Sequence, residues 1–110
     1  MINQDVILID DDRLMHLSWK LYCKKHNIEF HSFRSVEEFI IVAPSFQPSV
    51  KIFIDSYLGE GKKGEVESEK IFKLGFLNLY LATGADEHTI QKPGWIIAIY
   101  SKSPENILAD

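Results

Sequence analysis

The sequence predicts an α/β fold in which a doubly wound, five-stranded parallel sheet carries helices on both faces. Short apolar runs at residues 6–9, 50–54, 78–82 and 95–100 have the near-continuous hydrophobicity of strands buried on both sides. Stretches with helical spacing separate them, the alternation expected of βαβ units. Oxygen or ammonium groups stand where four of the runs stop: Asp10-Asp11-Asp12, Asp55, Thr83 and Lys102. In a parallel sheet the carboxyl ends of the strands share one edge, and ligands bind in the crevice outside it.

The elements follow in order. After the first strand, Leu14, Leu17, Leu21 and Tyr22 recur at helical spacing through Asn27, a helix end. A short second strand is expected over residues 28–32. Ser35-Val36-Glu37-Glu38 reads as a capping box, and opens a helix carrying Phe39, Ile40 and Val42 until Pro44. The third strand follows Pro48. A polar, glycine-containing loop leads to a helix over residues 65–74, with Ile71, Phe72 and Leu74 apolar and Gly75 as its cap. Strand four is followed by a short helix at residues 86–91, ended by Pro93-Gly94, and Trp95 begins strand five in a packing role. Ser103-Pro104-Glu105 supplies an N-cap, a first-turn proline and a first-turn acid for a truncated last helix.

A length of 110 residues suits one domain, residues 1–110, and the 45% hydrophobic and 25% charged fractions are those of ordinary globular proteins. The net charge of −4 gives no electrostatic case for nucleic-acid binding. The single Cys23 cannot form an internal disulfide and reads as a buried thiol, consistent with the cytoplasm. The polar start Met1-Ile2-Asn3-Gln4-Asp5 has no basic n-region of a signal peptide. The longest apolar runs, about six residues, are far short of the roughly 18 that span a bilayer.

Three adjacent carboxylates repel one another, so Asp10, Asp11 and Asp12 call for a counter-charge, most simply a bound cation. Magnesium takes a few carboxylates together with waters and phosphate oxygens. The competing reading is a solvated acidic loop that caps the helix beginning near Arg13. Asp55, brought to the same edge, becomes a candidate nucleophile toward a phosphoryl group. Thr83 can donate a hydroxyl hydrogen bond to that group, and Lys102 can set a point charge on it. Singly these residues suit a turn and a surface; their order along the chain carries the argument.

In that order the chain resembles a response-regulator receiver domain of the CheY-like family, with a flavodoxin-like fold, over residues 5–104. The resemblance implies that Asp10 and Asp11 bind Mg2+ and that Asp55 is the phosphoacceptor and a further metal ligand. It also implies that Thr83 is the switch hydroxyl, Lys102 the phosphoryl-binding lysine, and the main-chain carbonyl of Tyr57 a metal ligand. Gly84 keeps the approach to Asp55 open. A sensor histidine kinase or histidine phosphotransfer protein is the implied donor, with a downstream output protein or domain, and no enzymatic activity beyond the domain's own phosphorylation and dephosphorylation. The chain departs from the family at Lys102-Ser103-Pro104, where proline usually follows the lysine directly through a cis bond. A non-proline cis bond costs about 3 kcal/mol, so a rebuilt turn is expected. Alignment on Lys102 puts Ile99 at the aromatic switch position; alignment on Pro104 puts Ser103 at the lysine position and Tyr100 at the switch. The short span from Thr83 to Lys102 implies a reduced fourth helix.

Two other readings compete. A haloacid-dehalogenase-type phosphohydrolase would use the strand-terminal Asp10-Asp11-Asp12, but Arg13 stands where threonine or valine is expected and no acidic pair follows Lys102. A pseudo-receiver would bind a partner without phosphorylation. Gly59-Glu60-Gly61-Lys62-Lys63-Gly64 satisfies G-x-G-x-x-G by letter but lies beyond the third strand, and reads as a mobile, charged loop. His16, His26, His31 and His88 show no metal-ligand spacing and read as surface or helix-face residues.

Overall fold

A computed structural model describes residues 5–108. Five parallel strands, β1 (Asp5–Ile9), β2 (Glu29–Phe33), β3 (Lys51–Ile54), β4 (Leu79–Ala82) and β5 (Ile96–Tyr100), form one sheet in the order β2-β1-β3-β4-β5. Helices α1 (Arg13–Lys25), α2 (Val36–Val42), α3 (Gly64–Phe72) and α4 (Pro104–Leu108) cover it from both faces. In this order the direction of winding reverses between β1 and β3, the switch point at which such sheets open a crevice.

Val6–Ile9 and Ile52–Ile54 are buried because both faces of the central strands are covered. Side chains alternate between faces along a strand. Accordingly Ile7, Ile9, Ile52 and Ile54 join Val36, Phe39 and Ile71 in one core beneath α2 and α3. Val6, Leu8 and Phe53 join Trp19 and Ala82 in a second core, against α1 and α4.

Helix α1 turns the opposite side to the one its leucine spacing suggests. Leu14, Leu17 and Leu21 are exposed, while Trp19 and Cys23 are buried and Met15 packs against the core cluster that holds Trp19. Asp12 starts the helix by accepting from the Leu14 N–H at 2.9 Å. Burial pushes the Cys23 thiol up to about 11. Folded Cys23 should therefore resist 5,5′-dithiobis(2-nitrobenzoate) at pH 8 and react fully in denaturant; fast labelling of the folded protein would contradict this burial. Because the folded value lies above the ordinary one, the stability contributed by the neutral thiol is complete below pH 9.0 and is lost as pH rises through about 11.

The capping box at α2 is half formed. Ser35 Oγ accepts from the Glu38 N–H at 3.1 Å, but the Glu38 carboxylate accepts from Arg34, not from Ser35. The fourth helix of the expectation is a single 3-10 turn, Glu87–Thr89, capped by Asp86. Trp95 stacks on Phe72 at 5.7 Å and donates its indole N–H to Ser68 Oγ at 2.8 Å. No described helix is long and apolar enough to cross a membrane.

Candidate functional site

Asp10 leaves β1 and Asp55 leaves β3 side by side, because the Asp55 N–H continues the ladder by donating to the Ile9 carbonyl at 2.9 Å. Oxygens of Asp10, Asp11 and Asp55 lie within 4.8 Å of one another. Asp10 is fully buried and Asp55 nearly so, whereas Asp11 faces partly outward. Asp12, the third acid of the run, is exposed and serves as the α1 cap.

Lys102, in the bend after β5, sends its ammonium back over this group, 2.9 Å from Asp55 Oδ2 and 3.1 Å from Asp10 Oδ2. Asp10 Oδ1 accepts from the Asp12 N–H at 2.9 Å. Its Oδ2 is buried and has no well-angled hydrogen bond, only the nearby ammonium. Burial raises the Asp10 carboxyl above its ordinary value; the Asp12 N–H opposes that shift, Asp55 adds to it and Lys102 opposes it. Burial would lower the Lys102 ammonium, but the bond to Asp55 and the charges of Asp10 and Asp55 prevail and raise it. One cation therefore faces two buried carboxylates, and one oxygen of Asp10, its Oδ2, has no hydrogen-bond donor. This donor set fits a hard divalent cation such as Mg2+: a few carboxylate oxygens within 4.8 Å of one another, with Asp11 partly exposed to water.

The remaining expected residues lie on the same edge. Thr83 ends β4 almost fully buried, and its Oγ1 accepts from the Ala85 N–H at 3.1 Å, leaving the hydroxyl proton to donate elsewhere. Thr83, Gly84, Tyr100 and Lys102 line a common cleft of about 270 Å3. Tyr57 opens the loop after β3 with its ring exposed and its main chain paired with Lys63. Lys102, not Ser103, reaches the acids: its ammonium lies 2.9 Å from Asp55 Oδ2, while Ser103 Oγ donates to Glu105 at 2.9 Å. Described peptide bonds are all trans, so the turn is indeed rebuilt.

The glycine loop forms a hydrogen-bonded turn. Leu58 donates to the Lys62 carbonyl and Lys62 to the Gly59 carbonyl, at 3.0 and 2.9 Å. Its glycines answer to local geometry. Gly59 and Gly61 have φ of +84° and +76°, and a Cβ on Gly59 would fall 2.9 Å from Asp11 Oδ2. A Cβ on Gly64 would fall 1.9 Å from the Asp55 carbonyl oxygen.

Two residues of the site were missed in the sequence. His16, half-buried on α1, donates from Nε2 to the Asp10 carbonyl. Trp19, one turn further, donates its indole N–H to the Lys102 carbonyl at 2.9 Å. Helical spacing from the Asp12 cap could have placed His16 near the β1 end; nothing in the sequence signals the bond from Trp19.

The sheet order and the strand-end cluster at its switch point give the chain the fold of a response-regulator receiver domain. Solved structures agree. The response regulator StyR superposes with a TM-score of 0.74 at 14% identity, over 97% of this chain and 56% of StyR. A fusion protein carrying part of the yeast Spc42 trimeric coiled coil superposes with a TM-score of 0.76 at 14% identity, over 98% of this chain and 75% of the fusion. The chain thus spans little more than half the length of StyR. The sequence matches no family model and no curated protein.

Proposed function

We propose that the chain is a phosphoacceptor receiver domain of a two-component system, taking a phosphoryl group onto Asp55 from the phosphohistidine of a sensor histidine kinase or phosphotransfer protein. The observation that carries this reading is the Lys102 ammonium, 2.9 Å from Asp55 and 3.1 Å from Asp10, over three clustered carboxylates. Asp10, Asp11, Asp55 and the Tyr57 carbonyl would hold Mg2+, which when bound offsets the charge of the crowded carboxylate and phosphoryl oxygens.

In the transfer, an Asp55 carboxylate oxygen forms the new P–O bond as the P–N bond to the donor histidine breaks, and the bonding pair leaves with the imidazole. Lys102 holds a phosphoryl oxygen through charge as the acylphosphate forms. Thr83 donates its hydroxyl proton to another and thereby draws the loop after β4 toward Asp55. That movement offers a downstream partner a changed surface at β4 and β5, because the phosphoryl group contacts the two loop positions differently. The domain acts on no separate substrate, catalysing only its own phosphorylation and dephosphorylation. A kinase-fed relay of this kind belongs in the cytoplasm.

Incubation with acetyl phosphate and Mg2+ should add the mass of one phosphoryl group to the intact protein, and Asp55→Asn should add none. Equal labelling of Asp55→Asn would overturn the assignment.

A further inference from the structure

The bend carrying Lys102 lacks the proline that usually follows the lysine directly, and it is built from trans peptide bonds. Among the described residues, one hydrogen bond joins the main chain of residues 101–103 to a distant segment: the Trp19 indole N–H to the Lys102 carbonyl, at 2.9 Å. Trp19 is a firm anchor. It is fully buried, tilted against Phe53 at 5.4 Å and Phe30 at 6.4 Å. Phe53 lies two residues before Asp55 on β3, so the ring that fixes the lysine turn also packs on the strand that presents the acceptor. The bond is also needed by the indole, because a buried N–H left without an acceptor loses its water partner and gains nothing in return.

We propose that Trp19 is a positioning residue for phosphoryl transfer: its indole N–H fixes the Lys102 main chain so that the ammonium is held over Asp55 and Asp10. Lysine is a point charge on a flexible four-carbon stem, so its placement depends on where its backbone is held. Without the indole bond the lysine remains charged, but its ammonium spreads over more positions. A displacement of about 1 Å can cost as much as about 100-fold in rate, so the loss of one tether should cost roughly tenfold. This inference rests on the receiver reading of Asp55.

Trp19→Phe keeps an aromatic ring in the core and removes the N–H. Its rate of phosphoryl uptake from acetyl phosphate should fall roughly tenfold, while the Mg2+ concentration giving half-maximal thermal stabilisation stays within about twofold of wild type. Trp95→Phe, which removes the other indole N–H away from the site, should keep the wild-type rate. In a Lys102→Met background Trp19→Phe should slow uptake no further, because the group it positions is gone. A general loosening of the core would instead shift the Mg2+ response and persist in the double variant; either result overturns the inference. If wild type and Trp19→Phe take up phosphate equally fast, Trp19 is only a core residue and the receiver reading stands. If wild type takes up none, both fall. Should Trp19→Phe not fold, the Trp19 indole proton resonance of wild type decides: it should move when beryllofluoride and Mg2+ are added and the Lys102 turn tightens, and an unmoved resonance would count against the inference.

Discussion

Gly64→Ala should be among the most damaging single-methyl changes in the molecule, lowering stability by about 3 kcal/mol or more and the melting temperature by about 10 °C or more. The reason is space, not backbone conformation. The added Cβ would stand 1.9 Å from the Asp55 carbonyl oxygen, 2.8 Å from its carbon and 2.9 Å from Ile54 Cγ2. Two of these are backbone atoms of the β3 end and cannot swing aside. Gly64 also begins α3, and its N–H donates to the Ser56 carbonyl at 2.9 Å. Relief therefore requires the start of α3 to move away from the acceptor strand, which breaks that bond and shifts Asp55. Phosphoryl uptake should fall together with stability. Gly94→Ala is the natural reference, since nothing lies within 4 Å of its added Cβ; it should stay within about 0.5 kcal/mol of wild type. Urea unfolding of the two variants measures the difference, and near-equal midpoints would mean that α3 does not approach Asp55 this closely.

That glycine illustrates what a sequence displays and what it hides. The central strands were legible because burial on both faces leaves no polar residue in Val6–Ile9 or Ile52–Ile54. The acids were legible because each ends such a run, and parallel strands bring their ends to one edge. Helix α1 was not legible in this way. It carries two apolar stripes at helical spacing, Leu14-Leu17-Leu21 and Met15-Trp19-Cys23, and periodicity alone does not choose between them. The choice is made by tertiary partners: Phe53 and Phe30 around the Trp19 ring and the Lys102 carbonyl on its N–H. The fourth helix had a cap at Asp86 and a stop at Pro93, yet only one 3-10 turn forms. Trp95, read as a packing residue, does pack, stacking on Phe72 and donating its indole N–H to Ser68. The glycine motif matches a fingerprint by letter alone and reads as a mobile, charged loop; the close approaches of Gly59 to Asp11 and of Gly64 to Asp55 depend on the folded chain.

Lys102→Met should destabilise the metal-free protein at neutral pH by about 3 kcal/mol, a fall in melting temperature of about 10 °C, although methionine fills nearly the same volume. The side chain is a quarter exposed, which tempers the loss relative to a fully buried pair. What remains is still large, because the substitution leaves Asp10 and Asp55 buried together without their cation, and Asp10 Oδ2 without any neighbouring charge to offset its own. Three arms separate charge from packing. Asp10→Asn added to Lys102→Met should recover much of the loss, since one of the two unpaired charges is removed. Millimolar Mg2+ should stabilise Lys102→Met at least as much as wild type, because binding to the native state alone adds RT ln(1 + [L]/Kd) and the variant offers a more negative site. The pH dependence has a definite sign. A folded carboxyl raised above its unfolded value, as burial raises Asp10, gives stability that is complete below the unfolded value and lost as pH rises through the folded one. Removing the lysine removes an opposing charge and raises that carboxyl further, so in EDTA the deficit of the variant should shrink between pH 7 and pH 4.5. Thermal melts at the two pH values measure it; a deficit that stays constant, or a variant as stable as wild type at pH 7, would show that the ammonium does not hold these carboxylates together.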